Sequence, residues 1–418
     1  MISRPVRASA IVLAGGLLTF AFLACGGTGD ADSSAGLPIV RDSAGIRIVE
    51  HPAAILEQQP VALAAPVLAI GAAEGEGADV FGSIAGVVRL GDGAVAVLDR
   101  QAADVRVFAP DGTLRTRFGR TGGGPGEFES PSLLLSLGGD TLGVVDQFGY
   151  RVHRFTADGT LVDAERLDRS ASLTWGVAGR FADGAWLVHS RTRSEGPPAD
   201  GRQEAWILAG VRQPGASSAD SLARLRAGVN FIRNFEQGFS FTAIPFTPAG
   251  SVAPLGDAVV AHDGDRYELR IVGRDAAPRI LVRVLAEPPL VTDADVAADL
   301  ARRFGAMEPG RRARAEREVE AVPREPRHGG FGPLRSDGRE LVWSRVVVAP
   351  PTDPDSAATP FLVVARDGTI RGRVLLDGTE QVAFLDRTHV VTIGRDALDV
   401  EQVRVYRLPE PLRPSPAR

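Results

Sequence analysis

The chain has 418 residues and a formal net charge of −5, and its 47 basic residues are all arginine. The absence of lysine excludes Schiff-base catalysis and a phosphate-loop lysine. Acids and bases alternate along an acidic chain, which argues against nucleic acid as a partner because no basic field is present to hold it.

At the N-terminus, Arg4 and Arg7 precede an apolar stretch from Ala8 to Leu23, the pattern of a signal peptide over residues 1–24. The stretch ends at Ala24-Cys25, and a lone cysteine in that position resembles a bacterial lipoprotein box. The resemblance implies acylation of Cys25, which leaves no thiol for a disulfide, a catalytic nucleophile or a cysteine-ligated zinc site. Residues 25–37 are mostly small and polar, a flexible tether holding the domain on the order of 15–20 Å from the lipid. Gly26 rather than Asp after the cysteine points to the outer membrane, with the domain facing the periplasm and touching the membrane through its anchor alone.

Residues 75–114 then recur without a gap as residues 122–161, a period of 47. Gly75 matches Gly122, Phe81 matches Phe128, Asp99 matches Asp146 and Phe108 matches Phe155. A period in this range marks a unit that cannot bury its apolar face alone and must stack on the next copy. Val95 to Asp99 and Val105 to Phe108 are short runs rich in β-branched residues, and Pro110-Asp111-Gly112 closes the hairpin that follows. Nine Asp-Gly dipeptides punctuate the chain, each a turn signal because Gly takes positive φ and Asp bonds its own backbone. Four short strands per repeat make one propeller blade, so residues 38–408 are expected to form an all-β propeller, six-bladed in preference to seven.

Later copies are degenerate: Ala182 to Val188 and Ser336 to Trp343 echo the first strand-turn, and Phe361 to Ile370 echoes the hairpin. Val403 to Leu408 is a final strand and Gly45 to Val49 an orphan one, whose pairing with the last blade would close the ring. Residues 409–418 are expected to be a disordered tail. Two insertions break the period. Residues 191–250 carry a short helical pattern near Ser221 to Gly228 and a phenylalanine run from Phe231 to Phe246, read as packing the insertion onto the blades. Residues 290–327 open on a Thr292-to-Asp295 capping box before Val296, Leu300 and Phe304, and a charged Arg311-to-Glu320 segment follows, together a helical hairpin.

Gly122-Gly-Gly-Pro-Gly-Glu-Phe128, the strand-ending Asp99 and Asp146, and Val105-Arg-Val-Phe108 before Asp-Gly resemble NHL-type repeats. Val40 to Glu50 and Tyr267 to Arg270 are similar to segments of six-bladed β-propeller lipoproteins of environmental bacteria. The resemblance implies a six-bladed scaffold and little chemistry, since such propellers include binding modules, lyases and lactone hydrolases.

The candidate chemistry is sparse. Gly122 to Gly126 lacks a following Lys-Ser or Lys-Thr and has a counterpart at Gly75 to Gly77, so it reads as an inter-blade connector rather than an anion cradle. Asp99 and Asp146 are weak candidates for a metal, calcium being the plausible ion, against the reading that each accepts hydrogen bonds from a neighbouring loop. The six histidines show no metal-ligand spacing, and His189 beside Ser190 is the pair to inspect for catalysis. Arg100, Arg120, Glu127 and Arg151 should share one face of the ring and form a candidate binding face. The expected function is therefore a lipid-anchored, non-enzymatic scaffold for an envelope protein, peptide or carbohydrate, with no cofactor. The alternative is a metal-dependent, lactonase-like hydrolase or lyase working at the channel mouth.

Overall fold

The computed structural model describes residues 36–71, 77–147, 150–166, 175–192, 200–348, 358–396 and 398–414. Cys25, the apolar segment before it and most of the tether lie outside the described residues.

After β1 (Ile39–Ser43), β2 (Ile46–Pro52), a one-turn 3-10 helix (Ala53–Leu56) and β3 (Leu68–Ile70), the chain builds six sheets in succession. Blade 1 is β4 (Ile84–Arg89), β5 (Val95–Asp99), β6 (Asp104–Phe108) and β7 (Leu114–Phe118). Blade 2 is β8 (Pro131–Gly138), β9 (Thr141–Asp146), β10 (Arg151–Thr156) and β11 (Leu161–Arg166). Blade 3 has five strands, β12 (Trp175–Arg180), β13 (Trp186–Thr192), β14 (Gly201–Arg212), β15 (Asp220–Phe235) and β16 (Gly238–Ala243). Blade 4 is β17 (Ser251–Leu255), β18 (Ala258–His262), β19 (Glu268–Gly273) and β20 (Pro278–Leu285), followed by helices α1 (Asp293–Phe304) and α2 (Pro309–Glu320). Blade 5 is β21 (Phe331–Ser336), β22 (Leu341–Val346), β23 (Thr359–Ala365) and β24 (Ile370–Leu376). Blade 6 is β25 (Gln381–Leu385), β26 (His389–Arg395) and β27 (Glu401–Arg407), completed by β3.

The first strands β4, β8, β12, β17, β21 and β25 neighbour one another around the ring and enclose a central channel. The protein is thus a six-bladed β-propeller, mostly β with two helices. Among the described residues the core divides into six apolar clusters, one in each junction between successive blades. This arrangement explains the continuous run at Val95 to Asp99, where all five residues are buried: the strand has a blade on either side, so no solvent face exists to demand alternation.

Ring closure differs from the sequence expectation. The orphan strand β2 does not pair with the last blade; it adds in parallel to β20, with Val49 opposite Val282, and carries β1 on its outer edge. Closure is made by β3, whose Ile70 lies opposite Val403 of β27. Between them the chain straps the outside of the ring: Ile55 and Leu56 enter the core between blades 4 and 5, and the Val61 N–H donates to Arg373 O. A three-residue strand in an Ala-Pro-rich stretch carries no periodicity of its own, so only packing selects it.

The insertions also differ in part. The capping box of α1 is present, with Thr292 Oγ1 accepting from the Asp295 N–H and Asp295 Oδ2 accepting from the Thr292 N–H at 2.7 Å. Ser221 to Gly228, however, lies inside the long strand β15. Its pairing with β14 shifts register near Ala209/Gly210 and near Ala205/Trp206. Such irregularities interrupt the period of two, and the buried Leu222, Leu225, Val229 and Ile232 fall at spacings that mimic a helix. The tail begins later than expected, because Glu410–Leu412 forms a 3-10 turn that buries Leu412 in the core between blades 5 and 6.

Candidate functional site

In a four-stranded antiparallel blade, the turn between the second and third strands and the connection to the next blade emerge at the same end. That end, here called the top, carries both insertions. β14 and β15 continue past their blade as a ribbon, with Gly201 opposite Ile232, and β16 pairs with the ribbon's far part. The helical hairpin α1–α2 fills the connection from β20 to β21. The two insertions hold each other: Arg233 Nη2 donates to Ala321 O at 2.8 Å, Arg202 pairs with Glu325, and the Glu325 N–H donates to Pro245 O. His328 closes the base of this wall, packing edge-on against Phe246 at 5.3 Å with Nε2 3.2 Å from Asp295 Oδ2.

The phenylalanine run divides. Phe246 packs at the base, but Phe235, Phe239 and Phe241 are 62%, 52% and 68% exposed on the ribbon, contrary to the expectation that the run would be core. The ribbon and β16 extend beyond the blade, where no neighbouring sheet receives these side chains.

Across the ring, the connection between blades 1 and 2 also reaches the top. Arg120 forms an ion pair with Glu127 at 2.7 Å, Glu127 Oε2 accepts from the Gly124 N–H at 2.9 Å, and Arg151 Nη1 donates to Gly123 O at 2.8 Å. Gly122 is required here, since a Cβ would lie 2.2 Å from Glu127 Oε2 on a backbone already at φ +153°. Arg120, Glu127 and Arg151 therefore come together and brace this loop, while Arg100 stands exposed in the β5–β6 turn.

The aspartates sit among donors. Asp99 accepts from the Gly82, Ser83, Gln101 and Ala102 N–H groups and from Arg106, and Asp146 accepts from the Glu129 and Ser130 N–H groups. Oxygens facing amide hydrogens stabilise the entry to each inner strand and are poorly placed for a cation. Among the described residues, no three His, Cys, Asp or Glu gather as a metal would need.

His189 and Ser190 do not form a pair. Consecutive strand residues point to opposite faces, and Ser190 is buried while His189 lies half-buried at the channel wall. The His189 ring lies over Gly176, where a Cβ would come within 2.5 Å of it.

His262 is buried, its Nε2–H donating to Gly332 O at 2.8 Å across blades 4 and 5, and burial pulls its pKa from 6.5 to about 4. The unfolded chain therefore binds the extra proton between those values, so stability is present above 6.5 and is lost as pH falls toward 4, by on the order of 3 kcal/mol. His262→Gln keeps a donor for Gly332 but does not titrate. Its melting temperature should fall less than the parent's between pH 7 and pH 4.5; parallel pH profiles would refute this assignment.

The channel spans about 1540 Å³ and is lined by all six inner strands. Sequence reasoning missed its most unusual side chain, Arg335 on β21. One arginine among many in an arginine-rich chain carries no local signal, and its place beside the Ser336-Asp337-Gly338 turn gives no hint of the channel.

No family model matches the chain, and no curated protein matches it significantly. Among solved structures, it is similar to a member of the DUF4221 family from Bacteroides vulgatus, at 11% identity over 81% of this chain and 95% of that one, with a TM-score of 0.47. It is also similar to virginiamycin B lyase from Staphylococcus aureus, at 10% identity over 78% and 95% of the two chains with a TM-score of 0.37. Regucalcin from Agrobacterium tumefaciens, a calcium-binding protein, is 10% identical over 83% and 95% with a TM-score of 0.36. No functional residue is carried over from any of them.

Proposed function

We propose that this protein is an extracytoplasmic binding protein, anchored through an acylated Cys25, whose top rim recognises a polypeptide of the cell envelope. The observation that carries this reading is the wall built by the two insertions on one face, where exposed Phe235, Phe239 and Phe241 lie on the same ribbon as Arg202 and Arg233. Aromatic and arginine side chains at the centre of a patch are the residues that dominate protein interfaces. Arg100, Arg120, Glu127 and Arg151 form the opposite rim, a polar border suited to orienting the partner rather than supplying most of the affinity. The N-terminal segment supports the location, since Arg4, Arg7, the apolar stretch and Cys25 stand in export-signal order.

The test uses crosslinking and fractionation in cells producing the full chain. Cys25→Ser should move the protein from membranes to the soluble periplasmic fraction. Phe235→Ser with Phe239→Ser and Phe241→Ser should leave it in the membrane, with its melting temperature nearly unchanged because all three are exposed, while crosslinking to its partner is lost. Undiminished crosslinking of the triple variant would reject the ribbon as the recognition surface, and retention of Cys25→Ser in washed membranes would reject the anchor.

A further inference from the structure

The central channel has a charge balance opposite to that of the chain. Among its described lining residues are five arginines and three aspartates, in a protein whose net charge is −5. Two of the aspartates are ion-paired, and the third is bonded through one oxygen, its buried Oδ2 lacking a partner among the described residues. Asp386 pairs with Arg89 at 3.0 Å, Asp183 pairs with Arg274, and Asp337 Oδ1 accepts three N–H groups of its own turn. Enclosure by the ring concentrates the remaining positive field.

Arg335 is the centre of that field. Its strand neighbour Leu334 packs into the core between blades 4 and 5, so the guanidinium turns toward blade 6. There Nε donates to Val382 O at 3.0 Å, and Nη1 donates to Leu334 O at 3.1 Å. No carboxylate among the described residues pairs with it, although it is open to the channel. Partial desolvation by the surrounding ring lowers its pKa from the ordinary value, although the side chain itself is exposed. The two carbonyls leave the Nη2 end of the fork without a protein partner among the described residues. The channel lining is mixed, with Pro333 and Phe384 among its apolar residues and Ser136, Ser251 and Ser336 among its polar ones.

We propose that the channel is a second binding site, distinct from the rim, which takes an organic monoanion: a carboxylate held end-on by the Arg335 guanidinium, with an apolar body along the inner strands. The planar fork matches a carboxylate. A phosphate dianion would bring two charges to one unpaired cation, a poorer match.

The test is calorimetric titration of the purified chain with 4-phenylbutyrate, its neutral analogue 4-phenylbutanol, and inorganic phosphate. The parent should bind the acid at least tenfold more tightly than the alcohol, with phosphate weaker than the acid. Arg335→Gln, which retains a donor for Val382, should erase the preference for the acid without lowering the melting temperature. Arg335→Lys should retain the preference but bind several-fold more weakly, because a point charge replaces the fork. The triple phenylalanine variant should bind the acid as the parent does, so failure of the rim reading and failure of this one are separable. Equal affinity for acid and alcohol, no binding of the acid, phosphate binding tighter than the acid, or an unaffected Arg335→Gln would each overturn the proposal.

Discussion

Replacing Arg106 with Met should destabilise the protein by about 3 kcal/mol, although the two side chains fill similar space. Arg106, Asp99 and Asp104 are all at most 5% exposed, and the guanidinium spans both carboxylates at 3.3 and 3.1 Å. It also donates to Ala78 O and Val80 O and lies over the Phe81 ring, tying the connection before β4 to the outer half of blade 1. Removing it strands Asp99 beside Asp104, which keeps only the more exposed Arg117. Urea denaturation should show the midpoint fall at constant slope; a loss below about 1 kcal/mol would mean that the amide donors on Asp99 suffice.

The internal repeat supplies the control. Forty-seven positions later Arg106 becomes His153 and Asp104 becomes Arg151. His153 is fully buried, with both ring nitrogens lacking a protein partner among the described residues, and burial lowers its pKa. It sits 5.3 Å from Phe128, edge to face, and stacks on Phe155. Blade 2 thus accepts a neutral ring because its second acid is gone. Arg106→His combined with Asp104→Arg transplants that solution and should recover part of the loss, whereas Arg106→His alone should not.

The second large effect is expected at ring closure. Ile70→Asp places an unpaired charge in the core between blades 6 and 1, where Ile70 packs with Val403, Val405 and Phe81, and should cost on the order of 3–5 kcal/mol. It also detaches β3, leaving β27 as an open edge that can pair with another chain. Ile48→Asp on β2 is the comparison, because β2 lies outside blade 4 and its loss leaves the ring closed. Scattering and thermal melts should show association and a large drop for Ile70→Asp, with Ile48→Asp remaining monomeric. If Ile70→Asp stays monomeric and melts with the parent, β3 is not what closes the ring.

Blade content was legible because it is written in contiguous residues. The repeat at 47 positions, the apolar run to Asp99 and the Asp-Gly turns each act within a hairpin; β5 and β6 stand where those signals put them, and β9 and β10 repeat them 47 positions later. The same locality made the α1 capping box readable, since one residue's hydroxyl and another's amide three positions on suffice to make it. The reading failed where a bulge imitates a helix, as in β15, and where a strand's partner lies far along the chain, as with β2 and β20.

By itself, then, the sequence determined a propeller of about six blades and its two insertions, because period, turn chemistry and capping are local. Only the tertiary structure decided which strand closes the ring, that both insertions rise on one face, that His189 and Ser190 face apart, and that Arg335 lines the channel with no ion-pair partner among the described residues. Those outcomes depend on which distant surfaces exclude water together and on where the ring places each inner strand, and no window of neighbouring residues contains that information.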